Sequence, residues 1–334
     1  MLKSPRTALA ACVSLVAVAL GLPMLLGRGP VRADRFDESL IDDLNREKPE
    51  ILLIGDSMLY TRLHLDGLRK LAADRRLSEY SVGGSASATW YLYFKNVAMA
   101  AKRPPQMVVF FFRDDVWSQP HLRTAGARRD HLLELSPDLT TDLGVVPGFA
   151  DDSLTLAGLP RRLYPVVDFR NYLRQRLVLL IQDAVSGTGS KHPLVKERRE
   201  RFDLGNLRSD LPAELPEANE HTEGDLQFDP DGTFLPEIMS LAADKGVRVV
   251  LYRVKRRPDD AGQREESPEL AAYVASLRSW LETRGGVLVD ESGDSSLGLN
   301  LYLDGDHLRE SARPAWTVAF WRRLEPVVKG GPPR

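Results

Sequence analysis

Ser57 is the residue whose setting most clearly permits chemistry. It follows Gly55 and Asp56 in "ILLIGDSMLY", where four aliphatic residues, Ile51 to Ile54, give way to a helical pattern. A serine placed there can act as a nucleophile held at the rim of a sheet. The same three residues also make an ordinary strand-to-helix turn, with glycine supplying backbone freedom and aspartate or serine capping the helix. A base separates the two readings. A serine hydroxyl is a weak nucleophile until a neighbour takes its proton and a third group orients that neighbour.

Six histidines are available. His64 falls in the helix expected after Ser57, about two turns on. His121, His131, His192 and His221 lie in an irregular stretch where loop and surface roles are the default. His307 is different. It sits in "YLDGDHLRESARPAW", expected at the start of the last helix, with Asp304 three residues before it. That spacing puts a carboxylate within reach of the imidazole. Asp306 is a competing acceptor, although adjacent side chains generally point apart. Taken alone, "DGDH" also reads as a Gly-Asp turn with helix capping, or as an acidic turn able to hold calcium.

The elements that must position these residues follow from periodicity. Ile51–Ile54 is a buried strand, and Leu59, Leu63, Leu68 and Leu71 near helical spacing make the next helix. "SEYSVGG" is a short strand, "SATWYLYFKNVAMAAK" a helix, and "PPQMVVFFFRDD" a continuous apolar strand of the kind found in parallel sheets covered on both faces. After residue 230 the alternation resumes: helix at "PEIMSLAADKG", strand at "VRVVLYRV", helix at "SPELAAYVASLRSWLETRGG", strand at "VLVDES" and a last helix at "ESARPAWTVAFWRRLEPVV". Five strands alternating with helices predict an α/β fold, a doubly wound and mainly parallel sheet of flavodoxin-like, three-layer form. Ligands in such sheets bind beyond the carboxyl ends of the strands, where Ser57, Gly83 and Asp114 all fall. Trp90, Tyr91, Tyr93 and Phe94 wrap around a helix and read as core rather than as a sugar-stacking platform. Trp117, just past the third strand, is placed to line the cleft. Residues 117–230 lack clean alternation and read as a largely helical insertion, a lid or partner surface.

The pairing of Gly-Asp-Ser after the first strand with Asp-x-x-His before the last helix resembles the SGNH, or GDSL-like, hydrolase family. The resemblance covers residues 50–116 and 234–325. "GDS" at 55–57 is similar to the first block, which implies Ser57 as nucleophile with its own amide in an oxyanion hole. "VGGSAS" at 82–87 is similar to the second block and implies that Gly83 offers a second N–H. "LDGDHL" at 303–308 is similar to the fifth block and implies Asp304 and His307 as the remaining catalytic pair. No metal or organic cofactor is required by such chemistry. The third block departs from the family's Gly-x-Asn-Asp: "FFRDDVW" puts Asp114 in the asparagine position and Phe112 in the glycine's. An ionised carboxylate cannot donate to an oxyanion. Loss of one such donor costs about 3–4 kcal/mol of transition-state stabilisation. Arg113 either replaces that donor or neutralises Asp114; the plain alternative is a solvated group of loop ion pairs. Asp56, Asp114 and Trp117 are the expected lining of the substrate cleft.

Composition sets outer limits. With 43% hydrophobic and 28% charged residues over 334, the chain is that of a globular protein with a substantial core. Residues 1–33 carry Lys3, Arg6, Arg28 and Arg32 and no acid, so the remainder is four charges more negative than the whole chain's −2. Nothing in that balance suggests nucleic acid as a partner. Thr7 to Gly27 runs 21 residues without a charge, behind Lys3 and Arg6. That length spans a bilayer, and the flanking charges orient the rest outside the cytoplasm. The expected organisation is a signal anchor over 1–27, or a signal peptide cleaved after Ala33; a charged linker over 28–49; the α/β domain over 50–325; and a tail over 326–334. Cys12 is the only cysteine, which excludes an internal disulfide, a cysteine nucleophile in the body and a thiolate metal site.

Together these readings predict a membrane-anchored, extracytoplasmic serine esterase or O-acyltransferase. By family analogy its substrates are acyl groups, acetyl above all, on a cell-envelope glycan or exopolysaccharide. The alternative is a catalytically weak relative that binds glycan or an envelope assembly partner through residues 117–230.

Overall fold

The aliphatic runs pair into one parallel sheet. Its strands are β1 (Ile51–Gly55), β2 (Leu77–Ser81), β3 (Met107–Phe112), β4 (Arg248–Arg253) and β5 (Val287–Asp290), in the order β2-β1-β3-β4-β5. Every pairing is parallel, with Ile54 opposite Tyr80 on one side and Phe110 on the other. The computed structural model describes residues 36–124, 127–147, 149, 226, 228–259 and 266–330.

Strand β3 shows why the sheet is covered on both faces. All six of its residues are buried. Val108, Phe110 and Phe112 enter one core, while Met107, Val109 and Phe111 enter the other, as alternation along a strand requires. The first core takes α4 (Ser87–Tyr93), which runs on through a π-helical turn at Phe94–Ala98, together with α7 (Leu235–Lys245) and α8 (Pro268–Glu282). The second takes α2 (Ser57–Tyr60), α3 (Leu65–Leu71) and α9 (Arg313–Val328), where Trp316 and Phe320 stack at 5.3 Å and pack against Phe111. Burying side chains of this size contributes about 1.5–3 kcal/mol each. The expected α/β class and parallel sheet are found.

Three local expectations change. The single helix expected after Ser57 is two, α2 and α3, separated by a turn in which the buried Arg62 reaches away from the helix axis and His64 becomes the cap of α3. Residues 39–47 of the expected linker form helix α1 (Ser39–Glu47), because Leu44 reaches the first core with Leu40 and Ile41 packed beside it. The beginning of the irregular stretch also joins that core: α5 (Ala127–Glu134) and α6 (Leu139–Leu143) bury Leu132, Leu139 and Leu143. The rest of the insertion through residue 225 lies outside the described residues, as do residues 1–27. Among the described residues no helix is long and apolar enough to cross a membrane.

Candidate active site

Gly55 ends β1 in a space only glycine fits. A Cβ there would stand 2.9 Å from Leu59 Cβ and 3.1 Å from Phe111 Cβ. This close approach turns the chain sharply, so that Asp56 and Ser57 emerge half-buried at the strand's carboxyl end. Asp56 is the N-cap of α2, its Oδ1 accepting from the Met58 N–H at 2.8 Å. The capping reading and the nucleophile reading therefore hold together: aspartate caps, and serine is presented. Burial pushes the Asp56 carboxyl up from its ordinary value, against the Met58 N–H and the charges of Arg113, Arg123 and His307.

His307 meets Ser57. Its Nε2 lies 2.9 Å from Ser57 Oγ, across 250 positions of sequence. The ring is not on the last helix, as expected, but in a small antiparallel ribbon of β6 (Tyr302–Asp304) and β7 (His307–Leu308). A ribbon end fits here because Gly305, at φ +40, turns the chain tightly before α9 begins at Arg313. Asp304 is the register partner of His307 in that ribbon, and its side chain lies outside the described residues. Asp306 does not serve as a competing acceptor. It is buried, with Oδ2 taking Arg113 Nη1 at 2.6 Å and Oδ1 taking the Arg257 N–H at 2.7 Å. Burial alone would raise its carboxyl, but Arg113, the Arg257 N–H and Arg256 outweigh it and hold the group below the usual carboxylate range.

Two backbone donors border Ser57. As the first residue of α2 it has an N–H without an intrahelical partner. Gly83 is exposed nearby, since the Val82 N–H bonds Gly55 O at 3.2 Å. Among the described residues neither the Ser57 nor the Gly83 N–H has an acceptor. The loop is braced from behind. Ser85 Oγ donates to Gly55 O at 3.2 Å and accepts from Trp90 Nε1 at 2.9 Å, so the serine of the second block is structural support.

The third-block residues are not arranged as a cleft lining. Asp114 is buried, with a left-handed backbone at φ +33, and both its oxygens are taken: Oδ1 by Arg253 at 3.1 Å and Oδ2 by Arg256 at 2.8 Å. Its charge is offset where it stands, by a buried ion pair rather than a solvated one. Arg113 does not neutralise it through a direct contact; its Nη1 binds Asp306, and it stands close enough to Asp56 to act on that carboxyl. Trp117 is fully buried, 5.6 Å from Trp90 and edge-on to Phe110 at 5.8 Å. It belongs to the core, because the chain leaving Asp114 turns back over the sheet. The helix aromatics Trp90, Tyr91, Tyr93 and Phe94 are buried as read from their spacing.

Sequence reasoning missed the floor beneath the site. Arg62 is wholly buried, with Nη2 donating to Lys255 O at 2.7 Å and to Asp306 O at 2.9 Å and Nη1 reaching Glu291 at 3.3 Å. Glu291, equally buried, also takes the Tyr252 hydroxyl at 2.7 Å, Trp316 Nε1 at 3.1 Å and the Lys255 N–H at 3.1 Å. Arg62 thus ties the segment carrying Ser57 to the residue before His307. A signal was present: Arg62 sits between Leu59 and Leu63 on a helical pattern, where a charge needs a buried partner.

No protein-family model and no curated protein matches the chain. Among solved structures, one that is similar is the crystal structure of a "putative acylhydrolase" from Bacteroides fragilis. It is 12% identical, with a TM-score of 0.37, over 86% of this chain and 94% of that one. A likeness of that degree assigns neither a family nor an activity.

Proposed function

We propose that the protein is a serine esterase or O-acyltransferase of SGNH type. The observation that carries this is the 2.9 Å contact between Ser57 Oγ and His307 Nε2 beside two free N–H groups. Ser57 Oγ attacks the ester carbonyl as its proton passes to His307 Nε2, and Asp304 orients the imidazole. The oxyanion is received by the N–H groups of Ser57 and Gly83, with Arg113 adding positive charge in place of the missing asparagine. Collapse expels the alcohol, which takes the proton from His307, and leaves an acyl-Ser57. A water or a sugar hydroxyl then gives its proton to His307 and accepts the acyl group.

The substrate we propose is an ester-linked acyl group, acetyl in the first place, on a cell-envelope glycan or exopolysaccharide. The long uncharged segment at the N-terminus supports an anchored enzyme working outside the cytoplasm. A second reading, binding of glycan or an assembly partner without turnover, draws on one observation: Asp114 stands where a donor is expected and is locked to Arg253 and Arg256.

The deciding experiment is turnover of p-nitrophenyl acetate by residues 34–334 beside the Ser57→Ala variant. Serine-dependent turnover is expected, and added sugar acceptors then distinguish hydrolysis from transfer. Equal rates for two folded proteins would instead support the binding reading.

A further inference from the structure

Arg113, Arg123 and Arg128 gather near Asp56 and the loop that carries Gly83. Gly84, at φ +67, carries no side chain, and the space beside it is taken by guanidinium groups. Arg128 Nη2 lies 3.2 Å, and Arg123 Nη1 3.8 Å, from the point a Cβ of Gly84 would occupy. Arg123 also donates through Nη1 to Gly84 O and, at 3.3 Å, to Ser85 O. Its own backbone is left-handed at φ +47, a conformation that a residue with a side chain adopts at a cost. The chain is therefore bent to bring a second guanidinium to the loop that carries Gly83.

These charges are not used up inside the protein. Arg113 is paired with Asp306, whereas among the described residues neither Arg123 nor Arg128 forms a salt bridge. Burial holds Arg123 below its ordinary value, and the repulsion of Arg128 and Arg113 adds to this, against the pull of Asp56. Like charges held together in an otherwise acidic chain are stabilised by an anion placed between them. A guanidinium fork suits an anionic oxygen group, to which it can donate two parallel hydrogen bonds. Arg123 has Nε and Nη2 to spend in this way, and Arg128 is exposed.

We infer that Arg123 and Arg128 form a subsite for an anionic oxygen group, carboxylate or phosphate, carried by the ester substrate next to the Gly83 side of the reacting carbonyl. This rests on the serine esterase reading and narrows its substrate class to charged esters.

The test compares phenyl acetate, which is neutral, with three charged esters: 4-acetoxybenzoate, 4-acetoxyphenyl phosphate and phenyl hydrogen succinate. The first two place carboxylate or phosphate on the alcohol side, and the third places carboxylate on the acyl side. For each, kcat/KM relative to phenyl acetate is measured in the wild type and in Arg123→Ala/Arg128→Ala, so that intrinsic reactivity cancels. The expected result is a fall of about tenfold in that ratio for at least one charged ester, carried by KM, with the double lysine variant keeping part of the preference. An equal loss on neutral and charged esters would overturn the subsite and leave Arg123 as a latch on the Gly84 loop. Binding of the same esters to the Ser57→Ala protein by calorimetry reads the subsite without turnover. Absence of Ser57-dependent turnover then counts against the serine reading alone, and absence of arginine-dependent binding counts against the subsite alone.

Discussion

The ends of β1 and β3 lie side by side in the sheet, and the chain treats them in opposite ways. Beyond β1, Ser57 and Asp56 stay half-buried with polar groups still open to a ligand. Beyond β3, Asp114 is closed off: Arg253 holds it, and at the same time binds Glu266 at 2.7 Å and Asp290 at 3.1 Å. The first arrangement leaves a carboxyl whose ionisation burial disfavours, and the second pairs every charge it buries. Polar groups at the rim of a sheet are thus either kept available for chemistry or satisfied for rigidity. The open end here rests on a neighbour of the second kind. Asp306 joins the two, since its side chain binds Arg113 and its carbonyl binds Arg62.

The sharpest way to break this comparison is at the open end. Ser57→Ala should lower ester turnover by about 10³-fold or more, and adding His307→Ala should cost little further, because the two act as one unit. Independent, multiplying losses in single-turnover assays would separate the pair. The next largest effect belongs to the floor. Arg62→Met leaves the buried Glu291 with Arg323, at 4.0 Å, in place of its nearer cation and should cost about 3 kcal/mol in urea unfolding, part of which Glu291→Gln in the same chain restores. If Arg62→Met unfolds at the wild-type midpoint, Arg62 is not the strut proposed here.

At the closed end, Asp114→Asn introduces an amide that can donate but removes the charge that Arg253 and Arg256 bind. A loss of about 1.5–3 kcal/mol in stability is expected, without a gain in kcat. A marked rise in kcat would show Asp114 to be part of the oxyanion environment after all. The smallest effect concerns pH. The Asp306 carboxyl is held below its unfolded value, so it stabilises the fold above the ordinary aspartate range near pH ~4. That contribution fades as the pH falls through the lower, folded value. Asp306→Asn should therefore flatten the loss of stability on acidification in that window, and an unchanged slope in urea midpoints from pH 5 to 2 would rule the linkage out.

How far each residue could be read in advance follows from how local its determinants are. The strands at 51–55, 107–112 and 248–253 were legible because uninterrupted apolar runs have few ways to be satisfied outside a doubly covered sheet. Ser57 and His307 were legible as residues, since glycine and aspartate beside them mark tight turns at strand ends. Trp117 was misplaced because position after a strand does not say whether the chain runs outwards or folds back. His307 was assigned to a helix because a two-residue ribbon leaves no periodicity to detect.

By itself, the sequence determined the α/β class, the parallel order of construction and the two segments carrying Ser57 and His307, since these depend on periodicity and turn chemistry within some twenty residues. Only the tertiary structure decided that Nε2 and Oγ meet at 2.9 Å, that Arg253 and Arg256 occupy Asp114, and that Arg62 fastens the loop before His307. Those contacts join positions 139 to 250 residues apart. They arise because burying both faces of the sheet fixes where the strand ends lie, and charges carried into that space must find partners there.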